Sequence, residues 1–224
     1  MLVASLLYLP LPDAHAASPL PSEQSLAEAI RVFNALARTP VPVPAETELK
    51  RLRDGEIVKQ IASLDGTDRR RALGYMLTDV SRDNLWFATQ DPHFSVQDAT
   101  KDLLVSQSGP DAMEWYGYID LPWPFDDRHW LVSIWNNHGL AQASGGKAWE
   151  HPWELVPNGA ERIRPILSDG GLEGVSVEMM DEAVYIPYSK GAWVALEVEG
   201  HSLLIYHATA SIGGNISDDI MLKF

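Results

Sequence analysis

The sequence contains no cysteine. Disulfides, thiolate nucleophiles and Cys-ligated zinc are therefore excluded. Positive charge is also scarce: 17 Lys and Arg stand against 31 Asp and Glu, a formal charge of −14. Such a surface repels a phosphate backbone and no basic stripe interrupts it, so nucleic acid is not expected as a partner. The one basic cluster, Arg69-Arg70-Arg71, reads as a solvated turn or strand edge. Metal-ligand spacings are missing, with no H-x-H and no H-E-x-x-H. Of the histidines, His129 and His207 read as strand residues and His138 and His151 as loop residues. There is no G-x-S-x-G, and Gly170-Gly171-Leu172-Glu173-Gly174 has the wrong spacing for a phosphate loop. The adjacent carboxylates Asp126-Asp127 and Asp218-Asp219 suit a turn and a helix N-terminus. No metal and no cofactor are expected.

Long apolar runs are few as well. Leu2 to Leu11 is almost wholly apolar but too short to span a bilayer, and Ala14-His15-Ala16 follows it. That is the form of a secretory signal peptide over residues 1–16, although no basic residue precedes the apolar run. An apolar arm packed on the domain is the other reading. The expected location is periplasmic or secreted, with no stable transmembrane anchor.

What remains is a globular composition, 46% hydrophobic, in a chain of a size for one domain with a substantial core. Ser22 can cap an N-terminal helix over residues 22–38, with Leu26, Ala29, Ile30, Phe33 and Leu36 on one stripe. The alternating prolines Pro40, Pro42 and Pro44 end it, and Glu46 to Arg53 reads as a short charged helix. Strands are expected over 56–64 and 71–78, then a helix capped by Ser81. Short strands follow over 102–107, 113–121, 129–137, 147–157, 174–179, 184–187, 192–198 and 202–209. Their spacing argues a curling antiparallel sheet whose apolar face must be filled by a helix, a ligand or both.

Two stretches carry a family resemblance. One runs from Trp115 through Pro122-Trp123-Pro124 and Asp127-Arg128-His129 to Trp130. The other is Gly191-Ala192-Trp193, then Leu203-Leu204-Ile205-Tyr206, then Gly213-Gly214. In order and spacing these resemble the START family of lipid- and sterol-binding domains, strongest over residues 113–216. The resemblance implies an α+β helix-grip fold over residues 45–224: a curved antiparallel sheet wrapped around a C-terminal helix, with an extra N-terminal helix. The sequence departs from the pattern at His129, where the family usually has Asp, and at Ser211-Ile212, where it has Asp-Pro. The family's C-terminal helix is also longer than the segment after Gly214, so it is expected to be truncated.

Strand alternation then divides inward from outward residues. Glu197 and Glu199 mark a wet face, which turns Val194, Leu196 and Val198 inward. The apolar sets Trp130, Val132, Ile134 and Trp115, Ile119 are also expected inward, together with Leu204 and Tyr206. Arg128 is expected in a surface ion pair with Asp126 or Asp127, and Trp123 is expected to pin its turn to the domain. Non-covalent binding of a lipid, sterol or other hydrophobic small molecule in an internal cavity follows, without catalysis. Two alternatives stand beside it. One is a polyketide aromatase/cyclase-type enzyme using Asp120, Tyr118, His129 or His207 if these point inward. The other is an exported interaction domain whose core is filled by its own side chains. The sequence does not specify an oligomeric state.

Overall fold

The computed structural model describes residues 19–64, 67, 69–90, 100–109 and 111–214. The expected signal peptide and the expected C-terminal helix lie outside the described residues. Helices α1 (Glu23–Leu36) and α2 (Glu46–Arg53) precede the hairpin β1 (Val58–Ser63) and β2 (Arg70–Thr78). Helix α3 (Arg82–Thr89) leads to the meander β3 (Thr100–Ser108), β4 (Ala112–Ile119) and β5 (Arg128–Trp135). Then come α4 (His138–Ala143), β6 (Ala148–Leu155), α5 (Gly159–Ser168), α6 (Val177–Glu182), β7 (Val184–Tyr185), β8 (Tyr188–Val198) and β9 (His201–Ser211).

Helix starts follow local chemistry. Ser22, Ser81, Asn137 and Ser176 each accept a backbone N–H of the first turn. The strands form one curved sheet in the order β1-β2-β9-β8-β6-β5-β4-β3, antiparallel along that path, with β7 added parallel to β5. The β8–β9 hairpin closes through Glu199 and Gly200, both at positive φ, as a two-residue turn of that twist demands.

Pairing registers sort every strand residue onto one of two faces. One face carries Val194, Leu196, Val198, Leu203, Ile205, Leu73 and Tyr75, buried under Leu26, Ile30 and Phe33 of α1 and Leu49 and Leu52 of α2. Farther along the same face, Tyr116, Tyr118 and Leu131 pack with Ile163 and Leu167 of α5 and Met180 of α6. Helices therefore cover this side of the sheet.

Several expectations fail here. Residues 174–179, whose V-x-V-x-M alternation reads as a strand, instead lead into α6, because Ser176 caps it and only Met180 is buried. Helix α5 stands where no element is expected; Pro165 inside it argues against a helix, yet Ile163 and Leu167 anchor it on the sheet. His151 is a buried strand residue, not a loop residue. Trp123 is 93% exposed and does not pin the turn. Arg128, only 2% exposed, makes no surface ion pair. Its guanidinium donates to four backbone carbonyls: Ile212 (2.7 Å), Gly213 (3.0 Å), Asp127 (3.0 Å) and Asp126. Gly214 makes room for it, since a Cβ there would sit 2.7 Å from Nη2.

Candidate functional site

The opposite face of the sheet is aromatic. Registers align Trp149 with Ala195 and Leu204, His151 with Trp193 and Tyr206, and Trp153 with Gly191 and Ala208. Across β5 and β4 the same face continues through Ile134, Val132 and Trp130 to Met113, Trp115, Gly117 and Ile119. Trp86, from α3, meets Trp149 and His151 edge-on at 5.0 and 5.6 Å. Trp153 stacks on Tyr206 at 5.7 Å, and Trp193 lies tilted against the same ring at 4.5 Å. Six of the eight tryptophans thus belong to this one side: Trp86, Trp115, Trp130, Trp149, Trp153 and Trp193. The indoles of β4, β5, β6 and β8 remain half-buried, unlike the fully buried residues under α1.

Two glycines shape the floor. A Cβ on Gly117 would overlap the indole of Trp130, and one on Gly191 would overlap the indole of Trp153. The missing side chains let both rings lie across the neighbouring strand. Gly117→Ala is expected to cost about 1–3 kcal/mol by forcing the Trp130 ring out of place. Thermal unfolding checks the cost, and a shifted tryptophan emission maximum checks the displacement.

Seven of the ten expected ligand-binding residues share this face: Trp115, Ile119, Trp130, Val132, Ile134, Leu204 and Tyr206. Val194, Leu196 and Val198 do not; they lie under α1 and α2. The two glutamates misassign them. Glu197 sits at the open end of the aromatic face, opposite Ser202, and Glu199 belongs to the hairpin turn. Trp149, His151, Trp153 and Trp193 are missed by the sequence reading. The alternation W-x-H-x-W over residues 149–153 was the available signal.

The groups named for an enzyme lie elsewhere. Tyr118 and His129 occupy the helix-packed face: the Tyr118 hydroxyl donates to Asp127, and His129 Nδ1 lies 3.4 Å from the Tyr116 hydroxyl. His207 shares its side with Ile205, and Asp120 is exposed beyond β4. The aromatic face carries other polar groups. Asp102, in register with Gly117, is held above the usual carboxylate range by burial. His151 Nδ1 lies 2.7 Å from Asn136 Oδ1, and burial lowers its pKa to about 4, so the imidazole is neutral at pH 7. At the end of the face, Arg82 lies over the Trp149 ring at 5.4 Å and reaches Glu197 at 3.3 Å. Among the described residues no cluster of three or more His, Asp or Glu is placed to hold a metal ion, and no helix is long and apolar enough to cross a membrane.

Burial also lowers His129 and His207 to about 4, from an ordinary value of 6.5. A histidine depressed in the fold binds its proton more readily when unfolded. Stability is therefore full above pH 6.5 and falls as pH drops from 6.5 toward 4. The buried carboxyls of Glu150 and Asp102, raised by burial, act in the opposite sense. Three imidazoles, each contributing up to about 2 kcal/mol between pH 6.5 and 5, stand against two carboxyls and set the expected direction. Urea unfolding midpoints are expected to fall between pH 7 and pH 5, and substituting His129 by Gln should flatten the slope.

No protein-family model matches the sequence, and no curated protein matches it. Solved structures do. A STAR-related lipid transfer protein fragment from Xanthomonas axonopodis superposes with a TM-score of 0.54 at 18% identity, over 75% of this chain and 83% of that one. The lipid transfer and protein localization domain of human StarD13 gives 0.50 at 8% identity, over 77% and 83%. The Zhui aromatase/cyclase from Streptomyces gives 0.39 at 11% identity, too distant a likeness to carry an argument. At these identities what is shared is the fold: the chain has the α+β helix-grip fold of START-like lipid-transfer domains.

Proposed function

We propose that the chain binds a lipid, sterol or other hydrophobic small molecule non-covalently on its aromatic face and catalyses no reaction. One observation carries the reading: five strand tryptophans and Tyr206 line one side of the sheet and remain half-buried, with Trp86 of α3 buried against them, whereas the other side is covered by helices. Apolar surface of that kind gains about 25 cal/mol for each Å² removed from water. His151, neutral and hydrogen-bonded through Nδ1, leaves Nε2 as an acceptor for a ligand hydroxyl. The Xanthomonas and StarD13 domains are named for lipid transfer, which supports the same reading. Against the aromatase/cyclase reading, Tyr118, His129 and His207 are directed away from this face. Export from the cytoplasm, on the form of residues 1–16, belongs to the same proposal.

The test is a titration of the protein with a fluorescent sterol and a fluorescent phosphatidylcholine, read by energy transfer from tryptophan. Saturable transfer that unlabelled ligand displaces is expected for at least one probe. Absence of transfer for both, with the fold intact by circular dichroism, would remove the proposal.

A further inference from the structure

A cavity lies on the helix-covered side of the sheet, away from the aromatic face. It is about 420 Å³ in volume and opens between the linker at Arg38–Pro40, the end of β1, and strands β2, β8 and β9. In a chain of formal charge −14, three cationic side chains line it: Arg38, Arg71 and Lys190. Arg71 belongs to the cluster expected to be solvated, yet it is only 6% exposed, and its Nη2 donates to the Pro40 carbonyl at 2.7 Å. That bond ties the linker to β2 and fixes the guanidinium at the cavity wall. His207 is 2% exposed, and its buried Nε2 has no hydrogen-bond partner. A buried polar atom without a partner is costly, and His207 is among the residues that line the cavity, so an occupant drawn against its ring can supply the missing partner. The hydroxyls of Thr39, Ser63 and Thr209 add short donors around the same space. Glu154 borders the site from outside, paired with Lys190 at 2.6 Å.

We propose that this cavity binds the phosphate group of a small organic phosphate, with Arg38, Arg71 and Lys190 supplying the charge and His207 Nε2 a hydrogen bond. The volume falls in the range of small-molecule sites, about 300–1,000 Å³, and exceeds what a bare ion fills. Guanidinium groups match phosphate oxygens in geometry as well as charge. The positive field is already felt by His207: after burial itself, Arg71 and Lys190 are what lower its proton affinity. An anion seated between them reverses that influence. The reading does not depend on the apolar ligand of the aromatic face.

The probe is glycerol 3-phosphate, titrated calorimetrically into the full chain at pH 7 and low salt, with glycerol as the uncharged control. A second arm uses phosphatidic acid in phosphatidylcholine vesicles, which separates a lipid headgroup from a soluble phosphate. Saturable binding of either phosphate and not of glycerol is expected, weakened about tenfold by Arg38→Ala, whose exposed side chain the fold does not need. His207→Gln is expected to weaken it as well, and NMR of the His207 ring should show its pKa rising on binding. Absence of binding in both arms overturns the proposal. Binding that is unchanged in both Arg38→Ala and His207→Gln overturns it equally.

Discussion

Arg128→Ala is expected to lower the folding free energy by about 3–5 kcal/mol, a large share of the roughly 5–15 kcal/mol available to a domain. The side chain joins two parts of the chain far apart in sequence: the start of β5 and the turn that follows β9. Removing it leaves the carbonyls of Asp126, Asp127, Ile212 and Gly213 without their donor, at about 1–3 kcal/mol for each one that water cannot reach. Arg128→Lys should recover only part of the loss, because an ammonium cannot span four acceptors set around a planar fork. Urea denaturation of the three proteins checks this. A midpoint for Arg128→Ala within experimental error of the parent would mean that the four bonds are not formed.

Trp193→Ala and Leu196→Ala are expected to separate binding from stability, although three residues apart on one strand. Trp193 rests against Tyr206 on the aromatic face. Losing about 80 Å² of ligand contact there costs about 2 kcal/mol, or roughly thirtyfold in ligand affinity. Leu196 is 2% exposed and packs under α1. Its truncation should leave a cavity and cost about 2–5 kcal/mol of stability, with ligand affinity unchanged among the folded molecules. Parallel probe titrations and denaturation curves distinguish the two. If Leu196→Ala weakened binding more than Trp193→Ala did, the assignment of faces would be reversed.

The reason the sequence misplaced Leu196 is physical. On β8 both faces are apolar, Trp193 and Ala195 on one side and Val194 and Leu196 on the other, because helices cover one and aromatic rings crowd the other. Alternation then has no polar set to mark, and two glutamates at the end of the strand decided wrongly. On β5 and β4 the alternation is legible, since Ser133 and Glu114 there lie opposite the apolar set. Sequence order was enough for the hairpin β1–β2, the capped helix α3 and the long meander, which rest on local turns and caps. Helix α5 was not legible because its stability comes from Ile163 and Leu167 meeting the sheet, a tertiary effect that overrides Pro165. Arg128 was misread for a similar reason: its acceptors at Ile212 and Gly213 come from a turn more than eighty residues away.

Whether the aromatic face takes an apolar guest is tested most directly by native mass spectrometry of the full chain. The protein should be expressed in a lipid-containing host and its bound molecules identified by organic extraction. A defined apolar mass on the parent protein, lost in Trp193→Ala and retained in Leu196→Ala, is the expected result. A parent protein that is folded, carries no adduct and takes up none from added sterol or phospholipid would contradict it.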